Sequence, residues 1–170
     1  VPVVDQALTQ SEIAKHQLDA IAFTQGPGLM GALMVGHSFG RTLGLALDLP
    51  LLAVNHLHGH HLSHLIENPA PPFPFLNLLV SGGHAQLVLM HSPLSYELIG
   101  QTIDDAAGEA LDKGAQMLGL SYPGGPAIDH HARAGDPDAF SFPRSDIKGY
   151  NFSFSGLKTA LLYFLRDQLK

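Results

Sequence analysis

Apolar positions alternate along Leu18-Asp19-Ala20-Ile21-Ala22-Phe23-Thr24, which predicts a strand that Gln25-Gly26-Pro27-Gly28 ends. Met30 to Leu47 carries Leu, Met, Val and Phe at helical spacing among Gly and Ala, which predicts a buried helix. Gly31, Gly36, Gly40 and Gly44 recur in it at near one-turn intervals. Each costs a helix about 1 kcal/mol against Ala, so the set predicts close packing on a sheet or against a bound group. The apolar run Leu51 to Val54 reads as a short buried strand. Ahead of all this, Val1 to Lys15 is polar and helix-forming, with Thr9 and Ser11 as caps for a second helix holding Glu12.

Further along, the proline-dense stretch Glu67 to Pro74 is the best boundary in the chain. Phe75 to Val80 predicts a fully buried strand, Ser81-Gly82-Gly83-His84 a tight turn, and Ala85 to Met90 and Tyr96 to Gln101 two further strands. A two-glycine hairpin turn can present bare backbone N–H groups to an anion. Asp104 to Lys113 opens a helix with acidic residues in its first turn, and spacing puts Asp105, Glu109 and Asp112 on one face. That face is either a solvated helix start or a set of carboxylates aimed at a ribose or a magnesium-bound phosphate. Tyr122-Pro123-Gly124-Gly125-Pro126 predicts a rigid loop that a ligand can approach closely, with Ala127-Ile128-Asp129 beginning the next helix. Asn151 to Lys158 leads into an amphipathic helix reaching Lys170, with Ser155 as its N-cap.

The densest chemistry follows the strand at Leu51. Asn55 sits where a helix N-cap belongs, so His56, His60 and His64 fall at i, i+4 and i+8 on one face. Imidazoles on adjacent turns can converge on one metal ion, with carboxylate or water completing the shell. A polar surface helix rich in histidine is the plainer alternative. Five histidines within nine residues, directly after a strand, favour a metal site on His56 and His60, with His64 a weaker candidate. Gly26-Pro27-Gly28 makes a poor phosphate loop, since it lacks Lys and the full glycine spacing.

Composition narrows the function classes. The 170 residues suffice for one ordinary domain or two small or incomplete ones, and 45% are hydrophobic. Only 14% are charged and the net charge is −6, so bulk electrostatics will not hold nucleic acid. There is no cysteine, hence no disulfide framework and no thiolate chemistry. The most hydrophobic segment, Thr42 to Val54, is interrupted by Asp48 and Pro50 and is too short to span a bilayer. No signal peptide opens the chain, and a cytoplasmic location without membrane contact is expected. Val rather than Met at position 1 predicts that the chain is a piece of a longer protein.

In this order, Thr24-Gln25-Gly26-Pro27-Gly28-Leu29, Asn55-His56-Leu57-His58-Gly59-His60, Leu79-Val80-Ser81-Gly82-Gly83-His84, Asp104 to Lys113, Tyr122 to Asp129 and Phe152 to Thr159 resemble the TsaD family. These are the tRNA threonylcarbamoyladenosine transferases, once described as O-sialoglycoprotein endopeptidases. The resemblance runs from about Leu18 onward. It implies an α/β protein with the actin-like, ribonuclease-H-like (ASKHA) ATPase fold, whose two related domains hold the ligand in the cleft between them. Residues 1–70 would be the C-terminal part of the first domain and 71–170 the N-terminal part of the second, so that the fold is incomplete at both ends. It further implies His56 and His60 as metal ligands, Leu79, Val80, Ser81, Gly82 and Gly83 as the nucleotide-contacting turn, and Asp112, Gly125 and Asp129 as lining of the adenylate pocket. Ser81 would hydrogen-bond phosphate. The family's N-terminal strands, a later glycine-rich loop and an aspartate as third metal ligand are not in this chain. Leu79 stands where the archaeal and eukaryotic branch has a tyrosine ligand, so the chain resembles the bacterial or organellar branch. His58 stands where many members carry Glu or Gln, and it points off the His56/His60 face.

The implied activity is transfer of threonylcarbamoyl from threonylcarbamoyl-AMP to N6 of adenine 37 in tRNAs reading ANN codons. The implied cofactor is one divalent ion per subunit, iron or zinc, with magnesium accompanying ATP or ADP. Implied partners are tRNA and the accessory subunits of the modification complex, an actin-like paralogue and a small ATPase. A dimer through apolar faces left bare by missing strands is a further expectation. Two rivals stand beside this reading. A metalloprotease would want His-Glu-x-x-His, but Leu57 follows His56. A non-catalytic nucleotide-binding scaffold of the same fold would lack the paired histidines. The 170-residue piece alone is expected to be inactive, because half of the cleft lies outside it.

Overall fold

The computed structural model describes residues 2–66 and 71–168. The chain separates into two compact units, Val1–Asn68 and Pro69–Lys170. Residues 67–70 of the predicted proline-dense boundary lie outside the described residues, as does the predicted end of the last helix at 169–170.

The first unit opens with helix α1, Pro2–Ser11, followed by a 3-10 turn at Lys15–Gln17. The second helix predicted around Glu12 does not form. Glu12 takes a left-handed φ of 55° that ends α1. The hydroxyls of Thr9 and Ser11 bond back to the carbonyls of Asp5 and Ala7 instead of capping anything. Strand β1, Ile21–Gly26, helix α2, Met30–Leu47, and strand β2, Leu51–Asn55, then form one parallel crossover. The pairing runs from Ile21 opposite Leu51 to Gly26 opposite Asn55, with an irregularity between Thr24 and Gly26.

Two of the four α2 glycines act as the spacing predicts. A Cβ at Gly40 would lie 3.3 Å from the Phe23 Cβ, and one at Gly44 would meet the Leu51 side chain. Gly31 and Gly36 face open space. The helix and the strand β2, both predicted to be buried, are largely open to solvent instead. Met34, Val35 and Leu45 of α2 are exposed, and so is every residue of β2, because α2 packs one face on a two-stranded sheet. An open apolar cavity of about 830 Å³ lies between α1, β1 and α2. Helix α3, His56–Leu62, follows β2 without a connecting loop.

In the second unit β3, Phe75–Val80, β4, Ala85–Ser92, and β5, Ser95–Gln101, form an antiparallel meander in that order. Its core is Leu79, Ala85, Val88, Met90, Ala106, Ala110 and Ala115, all strongly buried. Strand β3 alternates between burial and exposure, with Leu76, Leu78 and Val80 outward, so the predicted full burial holds for one face only. Helix α4, Ala107–Met117, helix α5, Gly124–Ala132, and helix α6, Ser155–Gln168, complete the unit. A parallel bridge joins Thr102 to Phe152, next to Gly100, where the Tyr150 carbonyl oxygen would lie 2.0 Å from any Cβ. No side chain fits there.

Candidate metal pair and anion-binding turn

The Asn55 cap forms as its sequence position predicts. Its Oδ1 accepts from the N–H groups of Leu57, at 2.9 Å, and His58, at 3.2 Å, two of the donors that a helix start leaves unpaired. With the first turn so fixed, His56 and His60 stack on adjacent turns. Their Nε2 atoms face each other across 3.1 Å, with ring centroids 4.4 Å apart and edges to faces. Two nitrogens at about 2.05 Å from one ion, at a tetrahedral angle, stand about 3.3 Å apart. The pair therefore fits two corners of a metal shell with little movement. Both rings are exposed, whereas His61, on the opposite face of α3, is buried.

A cleft of about 200 Å³ opens onto the pair, lined by Thr24, Val54, Asn55, His56, Gly59 and His60. The His37 Nε2 donates to the Thr24 carbonyl at 2.7 Å and so ties the end of β1 to α2 beside this cleft. His64 does not extend the stack. It lies on a 3-10 turn, Ser63–Leu65, whose tighter winding takes it out of α-helical phase. Among the described residues no group of three His, Cys, Asp or Glu is placed to hold a metal ion.

In the second unit the Ser81–His84 turn joins β3 to β4. The Ser81 N–H donates to the His84 carbonyl at 2.8 Å, and the Ser81 hydroxyl accepts from the His84 N–H at 3.1 Å. That hydroxyl, expected to meet phosphate, is engaged inside the turn. The Gly82 and Gly83 N–H groups have no partner among the described residues, and both glycines are exposed. Beneath them stands the N-terminus of α4, whose Gly108 N–H donates to the Ser81 carbonyl at 3.2 Å. The positive end of that helix adds to the two bare amides, an arrangement whose partial charge suits an anion. Of the two residues leading into the turn, Leu79 is in the core and Val80 is exposed on the outward face of the sheet.

The acidic cluster differs from its predicted arrangement. Asp104 and Asp105 precede the Ala106 N-cap of α4 rather than entering its first turn. Asp104 reaches fifty residues along the chain to the start of α6, accepting from the Phe154 and Ser155 amides and the Ser153 hydroxyl. Partial desolvation pushes this exposed carboxyl up, but the three hydrogen bonds together outweigh that and hold it below the usual carboxylate range. Ser155, predicted to cap α6, instead accepts from the Asp105 N–H. Asp105 is paired with Lys158 and, at 3.0 Å, with Lys113, and these two ammonium groups hold its carboxyl low. Lys113 also meets Glu109 at 2.7 Å, which with Asp105 raises its own pKa.

Asp112 leaves that cluster and points the other way, accepting from the Gly124 N–H at 2.7 Å. Gly124 and Gly125, predicted as loop, form the first turn of α5, since the preceding Pro123 supplies an extended N-cap. Gly124 is buried against Asp112 and Ala115, where a Cβ would stand 2.6 Å from each. Asp129, one turn beyond Gly125, is exposed and paired with Arg133 at 2.8 Å. Asp112 is thus joined to the start of α5 through Gly124, beside Gly125, while Asp129 stands one turn further along that helix. Sequence reasoning missed Gly108 and the Asp104 cap, whose only local trace is a glycine in the first turn of an acidic helix.

The family model of TsaD, tRNA N6-adenosine threonylcarbamoyltransferase, matches residues 1–168. This chain belongs to the TsaD family. The α/β architecture accords with the actin-like fold of that family. TsaD relatives named tRNA N6-adenosine threonylcarbamoyltransferase include one from Porphyromonas gingivalis, 56% identical over 99% of this chain, and one from Christiangramia forsetii, 53% identical over 100%. A third, from Cytophaga hutchinsonii, is 53% identical over 98%. The chain spans about half the length of the curated relatives it matches, 51% of each of the first two. Among solved structures, YeaZ from Pseudomonas aeruginosa aligns over 98% of this chain and 76% of its own, at 18% identity and a TM-score of 0.44. No helix among the described residues is long and apolar enough to cross a membrane.

Proposed function

We propose that the full-length protein transfers a threonylcarbamoyl group from threonylcarbamoyl-AMP to N6 of adenine 37 in tRNAs that read ANN codons, in the cytoplasm. The observation that supports this most is the His56–His60 pair, with Nε2 atoms 3.1 Å apart, in a chain of the TsaD family. A divalent ion held there, iron or zinc, supplies Lewis-acid polarisation of the threonylcarbamoyl carbonyl when bound. To ligate it, both rings present the Nε2 lone pair and keep their proton on Nδ1. Asn55 holds the first turn of α3, so the two nitrogens are already aligned.

In the second unit the Gly82 and Gly83 amides take the phosphate of the adenylate, with any magnesium accompanying ATP or ADP. Asp112, Gly125 and Asp129 line the adenylate beyond it. The N6 nitrogen forms a bond to the carbonyl carbon, the bond from that carbon to the phosphate oxygen breaks, and AMP leaves with the electron pair while N6 loses a proton. Aligning the two substrates removes much of the barrier, so no protein nucleophile is needed. A net charge of −6 does not attract tRNA. We assign that attraction to the rest of the protein and to accessory subunits, an actin-like paralogue and a small ATPase.

The test is mass spectrometry of nucleosides from total tRNA in cells depleted of the full-length gene. Threonylcarbamoyladenosine should fall, return with the wild-type gene, and stay low with His56→Ala. Its persistence without any redundant enzyme overturns the transferase reading. Full restoration by His56→Ala leaves the non-catalytic scaffold as the better account.

A further inference from the structure

Gly108 touches none of the residues assigned to metal or adenine, yet it carries the turn assigned to phosphate. Its N–H is one of the donors that the first turn of α4 leaves without an intrahelical partner, and it donates to the Ser81 carbonyl at 3.2 Å. Its bare Cα lets the turn sit directly on the helix. A Cβ at this position would lie 2.7 Å from the Gly82 Cα, 2.8 Å from the Ser81 carbonyl oxygen and 3.0 Å from the Gly82 nitrogen. All three are backbone atoms of the turn itself, so no side chain can swing aside to make room. Ordinary contact begins at 3.4 Å, so an added methyl must drive the turn away by about 0.7 Å. The φ of Gly108 is not left-handed, and alanine is the better helix former by about 1 kcal/mol. Nothing in the helix therefore requires glycine here; the turn above it does.

We infer that Gly108 is a positioning residue that sets where the Gly82 and Gly83 amides stand, and so sets the affinity of this corner for a nucleotide phosphate. The inference rests on the reading of the turn as a phosphate site. Gly114, two turns along α4, provides the matched comparison. A Cβ there would meet only the side-chain ends of Leu161, at 3.3 Å, and Ile128, at 3.7 Å, which can yield.

The experiment is AMP binding by calorimetry to the full-length protein as wild type, Gly108→Ala and Gly114→Ala, with zinc binding and melting temperature recorded on each. A displacement of this size is expected to weaken AMP by about tenfold or more in Gly108→Ala. Zinc binding and melting temperature should stay near wild type, and Gly114→Ala should bind AMP normally. Wild-type affinity in Gly108→Ala overturns the inference and leaves the phosphate site standing. Absence of AMP binding by the wild type overturns the phosphate reading and the inference with it. Should Gly108→Ala fail to fold, hydrogen exchange on the wild type decides. AMP should slow exchange in peptides covering 80–84 and 106–110 together, and protection of 80–84 alone overturns the coupling.

Discussion

Removing the Asp104 carboxylate should loosen a helix that begins fifty residues away. Its Oδ1 accepts from the Phe154 N–H at 2.8 Å and the Ser155 N–H at 3.3 Å, while Oδ2 takes the Ser153 hydroxyl. Asp104 thus does for α6 what an N-cap residue does for its own helix, and loss of such a cap costs about 0.5–2 kcal/mol. A negative charge at a helix N-terminus adds about 0.3–1 kcal/mol. Asp104 is exposed, so water screens the charge and competes for the hydrogen bonds, which places Asp104→Ala at about 1–2 kcal/mol. That corresponds to a population of the open helix about 5–30 times larger. Native-state hydrogen exchange on the full-length protein reads this locally, as equally faster exchange in a peptide covering the first turns of α6. Asp104→Asn keeps one acceptor oxygen and loses the charge, so its effect should be only a few-fold. Peptides from α2 should exchange at the wild-type rate in both variants. Exchange of the α6 peptide within twofold of wild type in Asp104→Ala would refute the cap.

Two further outcomes follow from named contacts. Asn55→Ala removes the acceptor of the Leu57 and His58 amides at a cost of about 1 kcal/mol. The first turn of α3 then frays, and zinc affinity of the full-length protein by calorimetry should drop by about fivefold; an unchanged affinity would detach the cap from the metal pair. Acid should undo the Asp105 cluster. Lys158 and Lys113 hold the Asp105 pKa below its unfolded value, so the stability it contributes is complete above about pH 3.9 and is lost as pH falls through the lower native pKa. Stability measured by urea unfolding between pH 5 and pH 2 should fall less steeply in Asp105→Asn than in wild type. Equal slopes would show that the cluster is not linked to proton uptake.

Much of this protein is legible without coordinates. The bounds of α2 come out at Met30 and Leu47, the Asn55 cap and the His56–His60 stack follow from spacing, and the Ser-Gly-Gly turn sits between its two predicted strands. Each of these rests on partners within about four residues or across one tight turn, and such interactions are written in the order of the residues. Family membership was legible for a related reason, since its motifs are short and occur in a set order. The sequence could not show that Asp104 belongs to α6, that Asp105 is clasped by Lys113 and Lys158, or that Asp112 holds the first amide of α5. Nor could it show that Gly108 lies under Gly82, or that half of the apolar positions of β3 and α2 face outward. Those facts join residues 8 to 53 positions apart, or depend on which face a neighbouring element covers. A carboxylate bonds to whichever donors the fold brings within 3 Å, and only the folded chain decides which those are.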